Sequence, residues 1–365
     1  MEDIKYDFWA ASLQDGYIGN LSDIIKMAGG SYNLYKMTPE EMTRKLGLSK
    51  RMINHIIINR RNSFEIEKEY EKMMRQEIRF IRESDKDFPY KLKNINSCPY
   101  AIFVKGELPK DNAPSVAIVG ARECSEYGRL MAEYFGDRLS RRGISIISGM
   151  AFGIDGIAQM AAVNAGGKSY AVLGCGVDEI YPKSNRVLYE RLINSGGVIS
   201  EYVPGTSAMS RNFPPRNRII SGLSDAIIVV EAKAKSGTLI TADLAMDQGR
   251  EVLIIPGRIT DPLSVGCMNL IKTGATPITC IEDVLEHLTN VNILANEDEK
   301  SIIKTIKLTA EEKILYDCLD YYSKSIEELS LLTKYDISTL VRLTTEMEMK
   351  GLIKCTSQTS FVKTS

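Results

Sequence analysis

From Ser115 onward, runs that are apolar at nearly every position alternate with longer segments of mixed polarity: SVAIVGA (115–121), ISIISG (144–149), SYAVLG (169–174), VISEY (198–202), AIIVVEA (226–232), EVLIIPG (251–257) and TPITC (276–280). Such a run has no side to offer water, so it predicts a strand covered on both faces; the helix-length segments between runs supply the covers. The pattern is that of a parallel sheet in an α/β fold. The flanks read differently. Residues 1–62 read as a small helical module broken at Gly16, Gly19, Gly29, Gly30 and Gly47, with TPEEM (38–42) marking a helix start that puts Pro39 near the first position. Residues 63–114 carry a charged helix, the strand EIRFIRES (77–84) and a connector punctuated by Pro89, Pro99 and Pro109. VNILANEDEKSIIKT (291–305) is a charged stretch without period and is expected to be a linker. Beyond it, 306–365 reads as three short amphipathic helices and a terminal hairpin, a winged helix.

The chain has 365 residues, enough for two or three domains, with 46 Lys and Arg against 47 Asp and Glu. A near-neutral balance gives no global attraction to a polyanion, so any phosphate site must come from a local cluster. The seven cysteines are scattered without a C-x-x-C pair and there are only two histidines, His55 and His287. No disulfide framework, metal site or cofactor is therefore expected, and an imidazole-based triad has little to draw on. The start resembles neither a signal peptide nor a membrane span, which predicts a cytoplasmic protein with no membrane partner.

Ligands of an open parallel sheet bind beyond the carboxyl ends of the strands, so the loops there hold the candidate chemistry. Gly120-Ala121-Arg122-Glu123-Cys124-Ser125 offers a glycine turn, an arginine and a helix cap at Ser125, a combination suited to phosphate. Ser148 through Gly156 contains Gly149 and Gly153, which permit close approach of backbone to a ligand, while Asp155 is expected as a helix cap. Cys175, between two glycines, reads as a small turn residue. The sharpest signal is the segment 204–218, where Arg211, Arg216 and Arg218 stand with Phe213 and Asn217: guanidinium forks for phosphate beside a face for a base, with one arginine expected to serve the fold. Lys235, Ser236, Gly237 and Thr238 open a helix whose amides suit another phosphate. In the N-terminal module, GYIG and LGLS look like the glycine turns of helix-hairpin-helix DNA contacts, although their loose spacing favours a solvated basic face. A P-loop and a dinucleotide fingerprint are both missing: GARECS replaces G-x-G-x-x-G, and Gly167-Lys168-Ser169 enters a strand.

GARECSEYG, SGMAFGID, VLGCGVDEIYP, SEYVPG, FPPRNRIISGLSDAIIVVEA, KSGTLITA, QGREVLIIPG and GCMNLIKTGA, in that order over about 85–285, resemble the DprA (Smf) family of DNA-processing proteins. The resemblance implies an extended Rossmann-like domain over 63–290 between a helix-hairpin-helix or SAM-like domain at 1–62 and the winged helix. It implies a homodimer that binds and protects single-stranded DNA, helps load the RecA recombinase in natural transformation, displaces single-strand-binding protein, and catalyses no reaction. Arg122 takes the family's strand-end arginine position, Phe213, Arg216, Asn217 and Arg218 its DNA-pocket segment, and Gly149 and Gly153 its glycine loop. Arg211 stands in for a lysine found in several relatives. Ala121, Gln159 and Met268 depart from the family's serine, histidine and asparagine.

Two other readings compete. A nucleotide-hydrolysing protein related to the phosphoribohydrolases would need a glutamate where this chain has Thr241. An adaptor acting through its ends fits 305–365, where acids slightly outnumber bases and the last helix offers only Arg342 and Lys350, which favours a protein-contacting winged helix over a groove reader. The apolar segment 276–288 is expected as a dimer surface.

Overall fold

The structure, a computed structural model, describes residues 2–14, 21–288, 308–320, 323–357 and 359–363. The expected linker 291–305 and the GYIG turn lie outside them. The chain divides into two compact units, 1–293 and 294–365.

In the first unit, helices α1 (Glu2–Ala11), α2 (Leu21–Ala28), α3 (Ser31–Lys36), α4 (Pro39–Leu46), α5 (Lys50–Ile58) and α6 (Ser63–Arg75) precede β1 (Arg79–Arg82), α7 (Tyr90–Lys93) and β2 (Ala101–Gly106). Strand–helix units follow: β3 (Ser115–Val119), α8 (Glu126–Arg141), β4 (Ser145–Ser148), α9 (Ile154–Asn164), β5 (Ser169–Leu173), α10 (Arg186–Ser195), β6 (Gly197–Ser200), α11 (Phe213–Leu223), β7 (Ala226–Val229), α12 (Gly237–Asp247), β8 (Glu251–Ile254), α13 (Val265–Lys272), β9 (Thr276–Pro277) and α14 (Ile281–Glu286). Among the described residues the sheet runs β1-β2-β6-β5-β4-β3-β7-β8-β9. Strands β3 to β9 are mutually parallel, as their apolar runs require, and β1 and β2 extend the β6 edge antiparallel. The chain winds outward from β3 to β6 and then returns to lay β7 on the other side of β3. The loops after β3 and β7 thus diverge and leave a crevice between them.

Local sequence explains the helical start. Thr38 and Glu41 form a reciprocal capping box on α4, and Gly47 ends that helix at φ 64°, a left-handed conformation that favours glycine. The module is not packed on itself alone. Phe8 of α1 lies edge-on to Phe80 and Phe103 of the sheet with centroids 6.0 Å away in both cases. Buried Asp7 accepts from Arg82 Nη1 at 2.6 Å and from the Tyr100 hydroxyl at 2.7 Å.

The second unit holds α15 (Ala310–Cys318), α16 (Ile326–Thr333), α17 (Ile337–Met349) and the strands β10 (Lys324–Ser325), β11 (Ile353–Ser357) and β12 (Ser360–Lys363), ordered β10-β12-β11. Leu315, Leu329, Leu340, Leu343, Met347 and Phe361 form its core, and Lys350 pairs with the buried carboxylate of Glu312.

The segment 276–288 departs from expectation. Ile278, Ile281, Val284 and Leu288 are at most 2% exposed and pack into the core shared with α8 and α9, so they cannot form a dimer surface. Ile281→Arg would therefore disrupt the fold. No described helix is long and apolar enough to cross a membrane, and no group of three described His, Cys, Asp or Glu residues could hold a metal ion.

Candidate nucleic-acid interface

The crevice where the strand order reverses is a cleft of about 420 Å³. The loop after β3 contributes Gly120 and Arg122, the start of α11 contributes Phe213, Arg216 and Asn217, and the start of α12 contributes Ser236, Gly237 and Thr238. Residues more than 115 positions apart in sequence thus share one concave wall. Arg122 is exposed, with its guanidinium 5.4 Å from the centre of the Phe213 ring. The Ser236 hydroxyl accepts from Thr238 N at 3.0 Å, and the Thr238 hydroxyl donates to the Gly120 carbonyl at 3.2 Å, tying the two loops of the crevice together. Lys233 lines the cleft, whereas Lys235 and Arg211 are exposed beside it. The positive end of α12 therefore faces a cleft that also holds an aromatic ring and three cations, Arg122, Arg216 and Lys233.

The three arginines of 204–218 have three different fates. Arg211 is exposed. Arg218 donates to both carboxylate oxygens of Glu201, at 2.7 and 2.6 Å, and to the Ser97 carbonyl at 2.7 Å. Burial works against the Arg218 charge, yet the buried Glu201 carboxylate outweighs it and holds the guanidinium above its ordinary pKa. Arg216 is also internal: its Nη1 donates to the carbonyls of Gly149, at 3.1 Å, and Val172. Burial pushes its pKa down while the charge of Asp155 pushes it up. Two arginines rather than one thus serve the fold, because the carbonyls ending β4 and β5 and the carboxylate of Glu201 need donors that water cannot reach to supply.

The glycines also have structural partners. A Cβ at Gly149 would come within 2.7 Å of the Arg216 guanidinium and of the Asp155 carboxylate. One at Gly153 would overlap the carbonyl oxygens of Ala121 and Arg122, and one at Gly120 would reach within 2.6 Å of the Ile154 side chain. The close backbone approach that these glycines permit is to the protein's own loops, which brings the β4–α9 turn against the loop carrying Arg122. Asp155 does not cap α9. It lies in the first turn and accepts from Gly149 N at 3.1 Å, and burial pushes its carboxyl up.

Ser125 caps α8 as its sequence suggests, accepting from Gly128 N at 3.0 Å. The anion at that helix end is the chain's own, however. Buried Glu231 accepts from Ser125 N at 2.9 Å and from the Ser125 hydroxyl, and a Cβ at Gly128 would run into its carboxylate. A phosphate therefore has the start of α12 open to it and the start of α8 closed. Sequence reasoning also passed over Tyr181 and Phe152, which are 41% and 49% exposed and line a small recess beside Phe213. They sit in the glycine-rich segments VLGCGVDEIYP and SGMAFG, where no local pattern marks an exposed ring.

Gln159, at the family's histidine position, is buried. It accepts from Met150 N at 3.0 Å and donates to the Tyr170 carbonyl at 3.0 Å, clamping β5 to the turn after β4. Met268 packs partly buried against the core. Thr241 is buried where the hydrolase reading needs an acid. Cys175 is buried too, and burial pushes its thiol up to about 12. The folded protein is expected to leave Cys175 unmodified by iodoacetamide at neutral pH until denaturant is added, as followed by peptide mass spectrometry. Rapid labelling of Cys175 in the native state would contradict this placement.

The sequence profile of the DNA recombination-mediator protein A family matches residues 79–289. The DNA processing protein DprA of Bacillus subtilis is 39% identical over 241 residues, covering 64% of this chain and 81% of its own. The X-ray structure of DNA processing protein A from Streptococcus pneumoniae superposes with a TM-score of 0.65 at 33% identity, covering 78% of this chain and 98% of that one. DNA processing protein A of Helicobacter pylori, whose structure was described for its single-stranded DNA binding mode, gives a TM-score of 0.52 at 26% identity over 58% of this chain and 95% of that one.

Proposed function

The chain belongs to the DNA recombination-mediator protein A family, and from that premise we propose that its cleft binds single-stranded DNA in a non-enzymatic role. The observation that carries this reading is the grouping of exposed Arg122, the Phe213 ring and the open start of α12 on one wall. A phosphate oxygen suits the α12 amides and the Arg122 fork, and an unpaired base offers a π face for the adjacent rings. Paired bases keep those faces stacked inside the duplex, so the cleft favours a single strand.

The proposal extends to the division of the chain. The domain at 63–290 would hold the strand, the helical module at 1–62 would brace it, and the winged helix at 306–365 would contact protein, since its last helix carries few bases. In the cytoplasm, a homodimer would protect incoming DNA, displace single-strand-binding protein and pass the strand to a RecA recombinase. The single-stranded DNA binding mode described for the H. pylori relative and the family match support the DNA-binding part of this reading.

A salt titration with single- and double-stranded oligonucleotides of equal length tests it. Tighter retention of the single strand across the titration is expected. Arg122→Ala should weaken that binding and reduce the slope of log K against log salt by about 0.7, the share of one phosphate contact on a single strand. Equal affinity for duplex, or an unchanged slope in Arg122→Ala, would remove the cleft from consideration.

A further inference from the structure

The loop between β8 and α13, residues 255–264, follows the strand paired with β7 and so stands at the same edge of the sheet as the cleft, yet none of its residues lines the cleft. Its sequence IPGRITDPLS sets one isoleucine between Arg258 and Thr260, and Ile259 is 85% exposed, more than any other large apolar side chain described in the first unit. A single exposed isoleucine on a loose loop calls for no explanation. This loop is not loose.

Leu263 N donates to the Asp261 carboxylate at 2.8 Å, Asp261 N to the Arg258 carbonyl at 3.0 Å and Ser264 N to the Asp261 carbonyl at 2.9 Å, so the loop closes on itself. Gly257 and Ser264 meet so tightly at its base that a Cβ on Gly257 would overlap the Ser264 hydroxyl. Two further bonds fasten the loop to its surroundings: Ala232 N donates to the Leu263 carbonyl at 2.7 Å, and the Tyr127 hydroxyl to the Pro256 carbonyl at 2.9 Å. A tip held in this way loses little freedom when a ligand covers it. Ala232 directly precedes Lys233, which lines the cleft, so the loop continues the cleft rim, and Lys235 and Arg258 are exposed along that stretch. The one acid of the loop, Asp261, is engaged with the loop's own backbone.

We propose that the loop after β8 is a second contact for the bound strand: beyond the cleft the nucleotides pass Lys233 and reach Ile259, which seats as an apolar wedge between neighbouring bases. This rests on the single-stranded-DNA reading and lengthens the footprint past the cleft. An apolar wedge of this kind needs no particular base, and in a single strand it interrupts the stacking of one step without breaking any pair. Covering the side chain removes its apolar area from water, while the cations beside it suit the flanking phosphates. One apolar tip between an arginine and a threonine fits a gap between two planar bases better than a protein interface, whose core needs a broader apolar patch.

The test measures the affinity of full-length wild type, Ile259→Ser, Ile259→Leu and the cleft variant Arg122→Ala for oligothymidylates of increasing length. Ile259 packs on nothing, so its substitutions should leave thermal unfolding unchanged. Strands that fill only the cleft should bind wild type and Ile259→Ser alike, whereas longer strands should bind Ile259→Ser roughly tenfold more weakly with the salt slope unchanged, because the lost contact is apolar. Ile259→Leu should stay within about twofold of wild type at every length. Arg122→Ala should lose affinity at all lengths. Equal affinity of Ile259→Ser and wild type at every length, in a protein that prefers single strand to duplex, would overturn this proposal alone. An equal loss at every length would place the effect in the cleft, and a changed oligomeric state of Ile259→Ser by light scattering would give the tip to a second copy of the chain; either result overturns the proposal. Failure of wild type to prefer the single strand would instead defeat the functional reading, and this contact with it.

Discussion

Arg216→Ala is expected to destabilise the first unit by about 3–5 kcal/mol, the range for breaking a buried charge interaction by removing one partner. Arg216 is 4% exposed, and loss of its guanidinium leaves the Gly149 and Val172 carbonyls without this donor and Asp155, 7% exposed, without its counter-charge. Lysine would not substitute well, because a compact, strongly hydrated ammonium lacks the guanidinium plane that also packs on Phe213. Urea denaturation of wild type, Arg216→Ala, Asp155→Asn and the double variant provides the measurement. The double variant should be less destabilised than the two single losses combined, since the second substitution removes a charge that the first had already stranded. Strict additivity, or a loss below about 1 kcal/mol for Arg216→Ala, would contradict the buried arrangement. DNA binding by Arg216→Ala should fall as well, through displacement of Phe213, which packs on the same guanidinium.

Gly153→Ala is expected to have the next largest effect, about 2–4 kcal/mol with loss of most single-stranded DNA binding. Gly153 sits at φ 71° and ψ −131°, a conformation nearly confined to glycine, and its missing Cβ leaves room for the carbonyls of Ala121 and Arg122. A methyl group there must push the Arg122 loop off the turn after β4. Gly205→Ala is the control, since Gly205 has φ 81° but no atom within 4 Å of the added carbon. It carries the backbone strain without the overlap, so its loss should stay near 1 kcal/mol. If the two variants melt alike and bind DNA alike, overlap at Gly153 has no part in shaping the cleft.

The reading of these residues from sequence succeeded where the signal is local. Seven apolar runs spaced by helix lengths sufficed for a parallel sheet, since a strand buried on both faces leaves no polar positions. Ser125 could be assigned as a cap, and TPEEM as the start of α4, because caps and helix starts are written within a few residues of themselves. The loops holding Arg122, Phe213 and Thr238 could be nominated because ligands gather beyond strand ends. Motif order then identified the family.

Partnership across the fold was a different matter. Nothing near Arg216 or Arg218 in the chain reveals that one meets the carbonyls of Gly149 and Val172 and the other Glu201. Nor does the neighbourhood of Glu231 disclose that it fills the helix end at Ser125, 106 residues away. The amphipathic look of 276–288 did not tell which surface covers Ile281. The amino-acid sequence by itself determined the sheet, its helices, the caps and the set of loops that face the cleft, because these follow from periodicity and short-range hydrogen bonding. Only the tertiary structure decided which arginines are free, which glycines hold loops together and which ring meets solvent, because charge pairing and burial depend on which distant elements the chain brings together.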